Sequence, residues 1–419
     1  MKFKSVSPWW WPLCLLALSG AARADLEPYS LGASETVEHQ TNVTRAADAD
    51  RVAGWLSVTE FNAALDQALG RDRLTATAAF DVNRYSGKEL HDLDANTYNL
   101  AGTFDWSTVG DLSGAIGADS RRRQYFYGLD GDIPGSTAST TLRNLETDNH
   151  VFANAQLGGL ARWTLFAGVD ANQRNYSNSA FDANEQRQWS TNAGTRYATS
   201  PDLSFGLTGS VTHGNYPHFV LASGARDDFE LRSLDLTTKW QVSGNSAMDA
   251  SVGYTDADYT EQPASKFVNG SLNWNWTPPS HISVSLGLSR NSDSDTAVTG
   301  TLVNNNLAGR SINNVGHILV TYAFSAKTSL VANAQYTQRR YSNDVLPVTS
   351  PDGTVTTINI DGTNRTAQFG LAAHFQPTRT ADLSCSVQRE IRRSDAQIVN
   401  ITPSYTDNTV QCTAAIKFD

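Results

Sequence analysis

Tyr405-Thr-Asp-Asn-Thr-Val-Gln-Cys-Thr-Ala-Ala-Ile-Lys-Phe-Asp419 closes the chain, and its alternation decides the fold. Val410, Cys412, Ala414, Ile416 and Phe418 are interleaved with Gln411, Thr413, Ala415 and Lys417. Period 2 gives a strand with one apolar and one polar face. In a soluble sandwich this would be an edge strand, and in an outer-membrane barrel it would be the strand that closes the cylinder. Recurrence separates the two readings. Leu74, Ala76, Ala78, Phe80 and Val82 alternate with Thr75, Thr77, Asp81 and Asn83. Trp163, Leu165, Ala167 and Val169 alternate with Thr164, Asp170 and Asn172. Gly270, Leu272, Trp274, Trp276 and then Ile282, Val284, Leu286, Leu288 are interleaved with Asn and Ser. A second face of Ser, Thr, Asn and Gln suits a wet lumen better than a packed core.

Two further patterns point the same way. The connections alternate short (Leu69–Arg73, Val109–Leu112, Ser200–Asp202, Ser243–Ala247, Ser325–Thr328) and long (Gly128–Thr141, Ser177–Glu185, Asn215–Asp228, Asn291–Ser311, Ser342–Gly362). Short periplasmic turns and long outer loops are the wiring of a bacterial outer-membrane barrel. Just before a short turn or the C-terminus, the apolar face ends on an aromatic ring: Trp106, Tyr197, Trp240, Trp276, Phe324, Phe375 and Phe418. Amphipathic rings gather at the membrane–water boundary, so this row reads as the periplasmic girdle. The expected fold is all-β, an antiparallel up-and-down transmembrane barrel of about 18 strands, with 16 the alternative count. The first two strands, near Tyr29–Val43 and Val52–Ala68, are the least regular, and Asn62–Leu69 is ambiguous between strand and helix.

Composition sets the compartment. Lys2 and Lys4, an apolar stretch from Trp9 to Ala17 and the Ala22-Arg23-Ala24 site form a secretory signal over residues 1–24, leaving 25–419 as the barrel. The chain carries 32 basic and 42 acidic residues; without Lys2, Lys4 and Arg23 the balance is 29 against 42, or −13. That disfavours nucleic acid as a partner. Mean hydropathy is −0.37, and no internal apolar run is long enough for a spanning helix. Outer-membrane lipid and lipopolysaccharide are the expected surroundings, and the cell outer membrane the expected location. Cys385 and Cys412 lie on the apolar parity of adjacent strands, with their midpoint near Val399 in the connection. A cross-strand disulfide and two small unpaired thiols both remain open.

Arginines concentrate at the outer ends of outward-running strands. Parity turns Arg121, Arg123, Arg174, Arg339 and Arg392 into the lumen and Arg122, Arg340 and Arg393 toward lipid headgroups. The inward set would form a basic ring binding an anionic polysaccharide or small solutes, or would pair with lumen carboxylates such as Asp81, Asp119 and Asp170. The outward set would meet lipopolysaccharide phosphates. Acidic pairs (Asp92 and Asp94, Asp130 and Asp132, Asp227 and Asp228, Asp256 and Asp258, Asp293 and Asp295) read as solvated loop charge, because none has the glycine and distal glutamate of a calcium loop. The eight histidines show no metal spacing, with His213 and His218 sharing a loop. No nucleophile–base motif or phosphate loop stands out, so neither an enzyme nor a cofactor is expected.

Residues 70–106, running from Gly70-Arg-Asp-Arg-Leu-Thr-Ala-Thr-Ala-Ala-Phe-Asp-Val-Asn-Arg-Tyr85 to Leu93-Asp-Ala-Asn-Thr-Tyr-Asn-Leu-Ala-Gly-Thr-Phe-Asp-Trp106, resemble the EpsL-type outer-membrane proteins encoded with exopolysaccharide biosynthesis genes. The length, signal and all-barrel body are similar across the mature chain. The resemblance implies export of a secreted polysaccharide together with periplasmic export components, and it carries no catalytic or binding motif. A general or substrate-specific diffusion porin, or a non-conducting structural or adhesive barrel, are the alternatives. Asp419 after Phe418 departs from the aromatic ending usual in such barrels.

Overall fold

A computed structural model describes residues 28–125, 143–158, 162–179, 182, 185–220, 226–260, 264–293, 297–299, 306–308, 310–342, 346–349, 355–358, 361–395 and 403–418. The leader expected at residues 1–24, and Asp130, Asp132, Asp295 and Asp419, lie outside them. Twenty-two strands follow in chain order. The first nine are β1 (Tyr29–Gln40), β2 (Gly54–Leu69), β3 (Asp72–Ser86), β4 (Ala95–Ser107), β5 (Leu112–Gln124), β6 (Leu145–Leu157), β7 (Trp163–Tyr176), β8 (Gln186–Ser200) and β9 (Leu203–Val220). The next seven are β10 (Arg226–Ser243), β11 (Ser246–Tyr259), β12 (Ser265–Trp276), β13 (Ile282–Asp293), β14 (Ala297–Thr299), β15 (Asn306–Ala308) and β16 (Arg310–Ser325). The last six are β17 (Thr328–Ser342), β18 (Leu346–Thr349), β19 (Val355–Ile358), β20 (Asp361–Phe375), β21 (Ala381–Ser394) and β22 (Tyr405–Phe418).

Eighteen of these strands form one sheet, each antiparallel to its neighbours in sequence, and β1 pairs with β22 to close the cylinder. The count is therefore 18 and not 16. Leu31 faces Phe418, so the start of β1 and the end of β22 lie at the same rim. The remaining four strands make two small ribbons, β14 with β15 and β18 with β19, within the connections β13–β16 and β17–β20. Closure leaves no unpaired sheet edge, the condition for strands to cross hydrocarbon.

The faces alternate as the period requires. Trp163 is 58% exposed while the next residue, Thr164, is 3% exposed. Leu165, Val151, Phe369, Val387, Val410 and Ile416 are likewise exposed on the outside, as are Trp240, Trp276, Phe324, Phe375 and Phe418 at the rim where β1 starts and β22 ends. An apolar exterior with rings at one rim is stable only against lipid, so this barrel sits in an outer membrane. Hydroxyl ladders tie the inner wall: Thr36 to Thr413 at 2.8 Å, Ser233 to Thr255 at 2.8 Å and Ser251 to Ser271 at 2.7 Å. Cys385 faces Cys412 in the register, on the outer face, and their sulfurs are bonded.

Three details differ from the sequence reading. Asn62–Leu69 is strand throughout, because β2 is paired on both sides, Asn62 facing Gly32 and Ala79. The expected Asn215–Asp228 loop is mostly strand: β9 runs to Val220 and β10 starts at Arg226, so His213 and His218 share a strand and not a loop. Asp227 and Asp228 belong to β10, Asp256 and Asp258 to β11, and Asp293 to β13, where the ladders extend beyond the apolar belt.

Candidate functional site

Two glutamates are buried inside the outer mouth, and each gathers an arginine and a tyrosine. On one wall Glu146, 1% exposed on the inner face of β6, faces Arg123 of β5 and Tyr176 of β7 in the ladder. Arg123 donates Nε–H to Glu146 Oε1 at 2.6 Å. Tyr176 donates its hydroxyl to Glu146 Oε2 at 3.1 Å. Arg174 lies between Asp148, at 2.9 Å, and Glu146, at 4.0 Å. Arg121 stands two residues before Arg123, facing Asp148 in the register. On this wall the carboxylates that pair with Arg123 and Arg174 are thus Glu146 and Asp148, where the sequence pointed to Asp81, Asp119 or Asp170. Asp119 meets His150 at 2.9 Å, and Asp81 accepts from Thr97 at 2.8 Å. Glu146 lay at the first residues of a strand whose start the long preceding loop obscured, and cross-strand register is absent from a linear pattern.

On the facing wall, Glu390 of β21 is the second centre. Tyr405 of β22 donates its hydroxyl to Glu390 Oε1, and Gln368 of β20 donates to Oε2 at 2.9 Å. Arg392 lies over the Tyr405 ring at 4.9 Å. Arg339, 8% exposed, sits inward on β17, two strands away across β20. From β6 to β21 the circumference is seven strands one way and eleven the other. The five inward arginines therefore form two separated groups, Arg121–Arg123–Arg174 and Arg339–Arg392, and not a continuous ring.

The second centre also anchors a loop. Residues 41–53 turn inward between β1 and β2, and Arg45 of that loop reaches Glu390 at 3.9 Å. Arg45 has φ of 52°, the only non-glycine positive φ among the described residues, a conformation costing about 1–2 kcal/mol. Burial works against its charge, but Glu390 and the neighbouring acidic groups outweigh it, and the pKa is raised. The turn is closed by Asn42, whose side chain donates to the Ala46 carbonyl at 2.7 Å and accepts from the Ala46 amide at 3.1 Å. Asn42 N–H donates to Asp407 at 2.8 Å and Thr406 N–H to Asp48 at 2.8 Å, so the loop is tied to β22. Val43 then packs against Tyr85, Leu90 and Leu93, with Val52 and Leu56 beside them, an apolar nest inside a polar lumen. Two of these residues come from the short segment after β3, which contains a single 3-10 turn at His91–Leu93. A second inner cluster, Tyr216 and Phe229 with Leu231 and Tyr259, lines β9–β11.

Inward rings interrupt the polar face at Phe152 and Phe166, and the register explains them. A Cβ on Gly117 would come within 2.5 Å of Phe152, and one on Gly194 within 2.5 Å of Phe166. Each ring lies flat over a glycine of the neighbouring strand, filling space a side chain would occupy. Among the described residues no group of three or more His, Cys, Asp or Glu side chains is arranged to hold a metal.

No protein-family model matches the sequence, and comparison with the curated proteins finds no match. Solved structures similar to the chain include OpdK of Pseudomonas aeruginosa, solved with vanillate (15% identity, TM-score 0.48, 94% of this chain and 100% of that one). OccAB3 of Acinetobacter baumannii is another (10% identity, TM-score 0.47, 93% and 98%). The FrpB iron transporter of Neisseria meningitidis is a third (11% identity, TM-score 0.48, 87% of this chain); this chain spans 62% of its length.

Proposed function

We propose that this protein is an outer-membrane channel for polar, hydroxyl-rich solutes, and that its cargo is an exopolysaccharide on its way out of the cell. The observation that carries the channel reading is an eighteen-strand closed wall whose inner face is built from hydroxyls, amides and mutually paired charges. A cylinder of about 16–18 strands encloses an aqueous passage. A wall of neutral donors and acceptors exchanges hydrogen bonds with sugar hydroxyls at little net cost, since each bond to water is replaced by one to the wall. Paired mouth charges leave little net field to reject an uncharged polymer. The EpsL-type resemblance supports the export direction.

The second reading, a diffusion porin for small solutes, is favoured by the inward loop 41–53, which narrows one side of the mouth. One pair of measurements separates them. Purified barrel in planar bilayers gives steady ohmic current under either channel reading; no steady current sinks both and leaves a structural barrel. Deletion of the gene in a producing strain then reduces extracellular polymer under the export reading. Undiminished polymer with slower uptake of small sugars replaces it by the porin reading.

A further inference from the structure

We infer that the outer face of β13, β17, β20 and β21 is a binding site for a phosphorylated glycolipid of the outer leaflet. On each of these strands the outward residues are apolar from the periplasmic rim upward and give way to arginine at the outer end. Ile282, Val284, Leu286 and Leu288 lead to Arg290; Leu330, Ala332, Ala334 and Tyr336 lead to Gln338 and Arg340. Phe375, Ala373, Leu371, Phe369 and Ala367 lead to Arg365; on β21 the run from Leu383, interrupted by Arg389, ends at Arg393. The arginines therefore stand where hydrocarbon ends and phosphate begins.

Register assembles them. Arg365 faces Arg393 directly, and Arg365 also faces Gln338, two residues before Arg340. Gln338 faces Asn314, which faces Arg290 and accepts its Nη1–H at 3.3 Å. Two like charges opposite each other on one face repel, and among the described residues these four cations have one carboxylate beside them: Asp395, 3.7 Å from Arg365 with both side chains about half exposed. On β10, β11 and β12 the outward cations stand beside carboxylates. Arg232 pairs with Glu230, and Lys266 with Asp256 at 3.7 Å. What marks this wall is that four outward arginines gather on adjoining strands at one height. Arg290 and Arg365 join Arg340 and Arg393 here, while Arg122 sits on β5, on another wall. Guanidinium forks bind phosphate bidentately, amides at Asn314 and Gln338 add donors for sugar oxygens, and the Tyr336 and Phe369 faces lie below for the acyl chains. An outer-leaflet lipid with phosphates on a sugar core fits this set; a free polyanion would gain nothing from the apolar rows beneath.

The site is independent of what passes through the lumen. Its test compares the full barrel with Arg340→Gln/Arg365→Gln/Arg393→Gln, each in nanodiscs containing lipopolysaccharide or an equal charge of phosphatidylglycerol, by native mass spectrometry of retained lipid. Retention of lipopolysaccharide by the parent, lowered about tenfold or more in the triple variant, with an Arg232→Gln control unchanged, is the expected result. Equal retention by parent and triple variant overturns the site. So does an equal loss in the control, or retention of phosphatidylglycerol as strong as that of lipopolysaccharide, which would mark generic anion attraction. Should the triple variant fail to insert, Arg365→Gln alone carries the same comparison, and Arg365→Lys separates fork geometry from charge.

Discussion

Arg339 and Arg340 are neighbours in sequence, as are Arg392 and Arg393, yet each pair is divided between two environments. Arg339 and Arg392 are 8% and 5% exposed on the inner wall; Arg340 and Arg393 are exposed on the outer one. Inside, charge is answered by the protein: Arg123 and Arg174 by Glu146 and Asp148, and Arg45 by Glu390. Outside, on the β13–β21 wall, charge outnumbers its carboxylates and is left to the membrane. The same residue type thus builds structure on one face and solicits a ligand on the other. What separates the two roles is the carboxylate that the next strand brings alongside.

The contrast can be broken most sharply at Glu146. Glu146→Gln leaves Arg123 and Arg174 with half their counter-charge in a mostly buried place, and about 3 kcal/mol of stability should be lost. Arg340→Gln, in detergent, should change stability by less than about 0.5 kcal/mol. The temperature at which the folded band disappears on semi-native gels measures both, and similar shifts would erase the distinction between the walls. Glu390→Gln tests the facing centre: loss of its charge-assisted bonds should cost about 1.5–3 kcal/mol and free residues 41–53 from the wall. Single-channel records should then become noisier and the loop cleavable by added protease, whereas an unchanged record would show that the nest around Val43 and the bonds to Asp407 and from Thr406 hold the loop without Glu390. Gly117→Val pushes a side chain into the space of the Phe152 ring and should cost about 1–3 kcal/mol by the same gel assay. Unaltered stability would mean the ring moves freely. The smallest effect is expected for ion selectivity. Arg121→Ser with Arg339→Ser should shift the reversal potential only modestly toward cations, because the mouth charges are largely compensated; a large shift would restore an uncompensated basic lumen.

Much of this was legible in one dimension. Alternation at Leu74–Asn83 or Val410–Lys417 assigns each side chain to lipid or lumen, because a strand's period is 2 whatever it pairs with. The same parity placed Arg121, Arg123, Arg174, Arg339 and Arg392 inward. Apart from the opposition of Cys385 and Cys412, which the sequence raised as one of two readings, what escaped was what register fixes. The partners of those arginines, the Phe152 ring over Gly117 and the opposition of Arg365 to Arg393 depend on which residue of one strand lies beside which of the next. The length of β9 and β10 escaped for another reason. Tyr216 and Phe229 pack on each other with ring centroids 5.7 Å apart, and that contact stabilises a ladder through residues whose polar composition reads as loop. The inward turn at Asn42–Arg45 also lay hidden, since it relies on Asp407 and Glu390, more than 340 residues away.

By itself, then, the amino-acid order determined a membrane-spanning cylinder, its inside and its outside, because face assignment follows from local backbone geometry and the partition of apolar atoms from water. Only the folded tertiary arrangement decided the closure at eighteen, which charges are neutralised, and which wall is left cationic. Those are properties of neighbours across strands, and Coulomb and packing forces act over a few ångströms of space irrespective of distance along the chain.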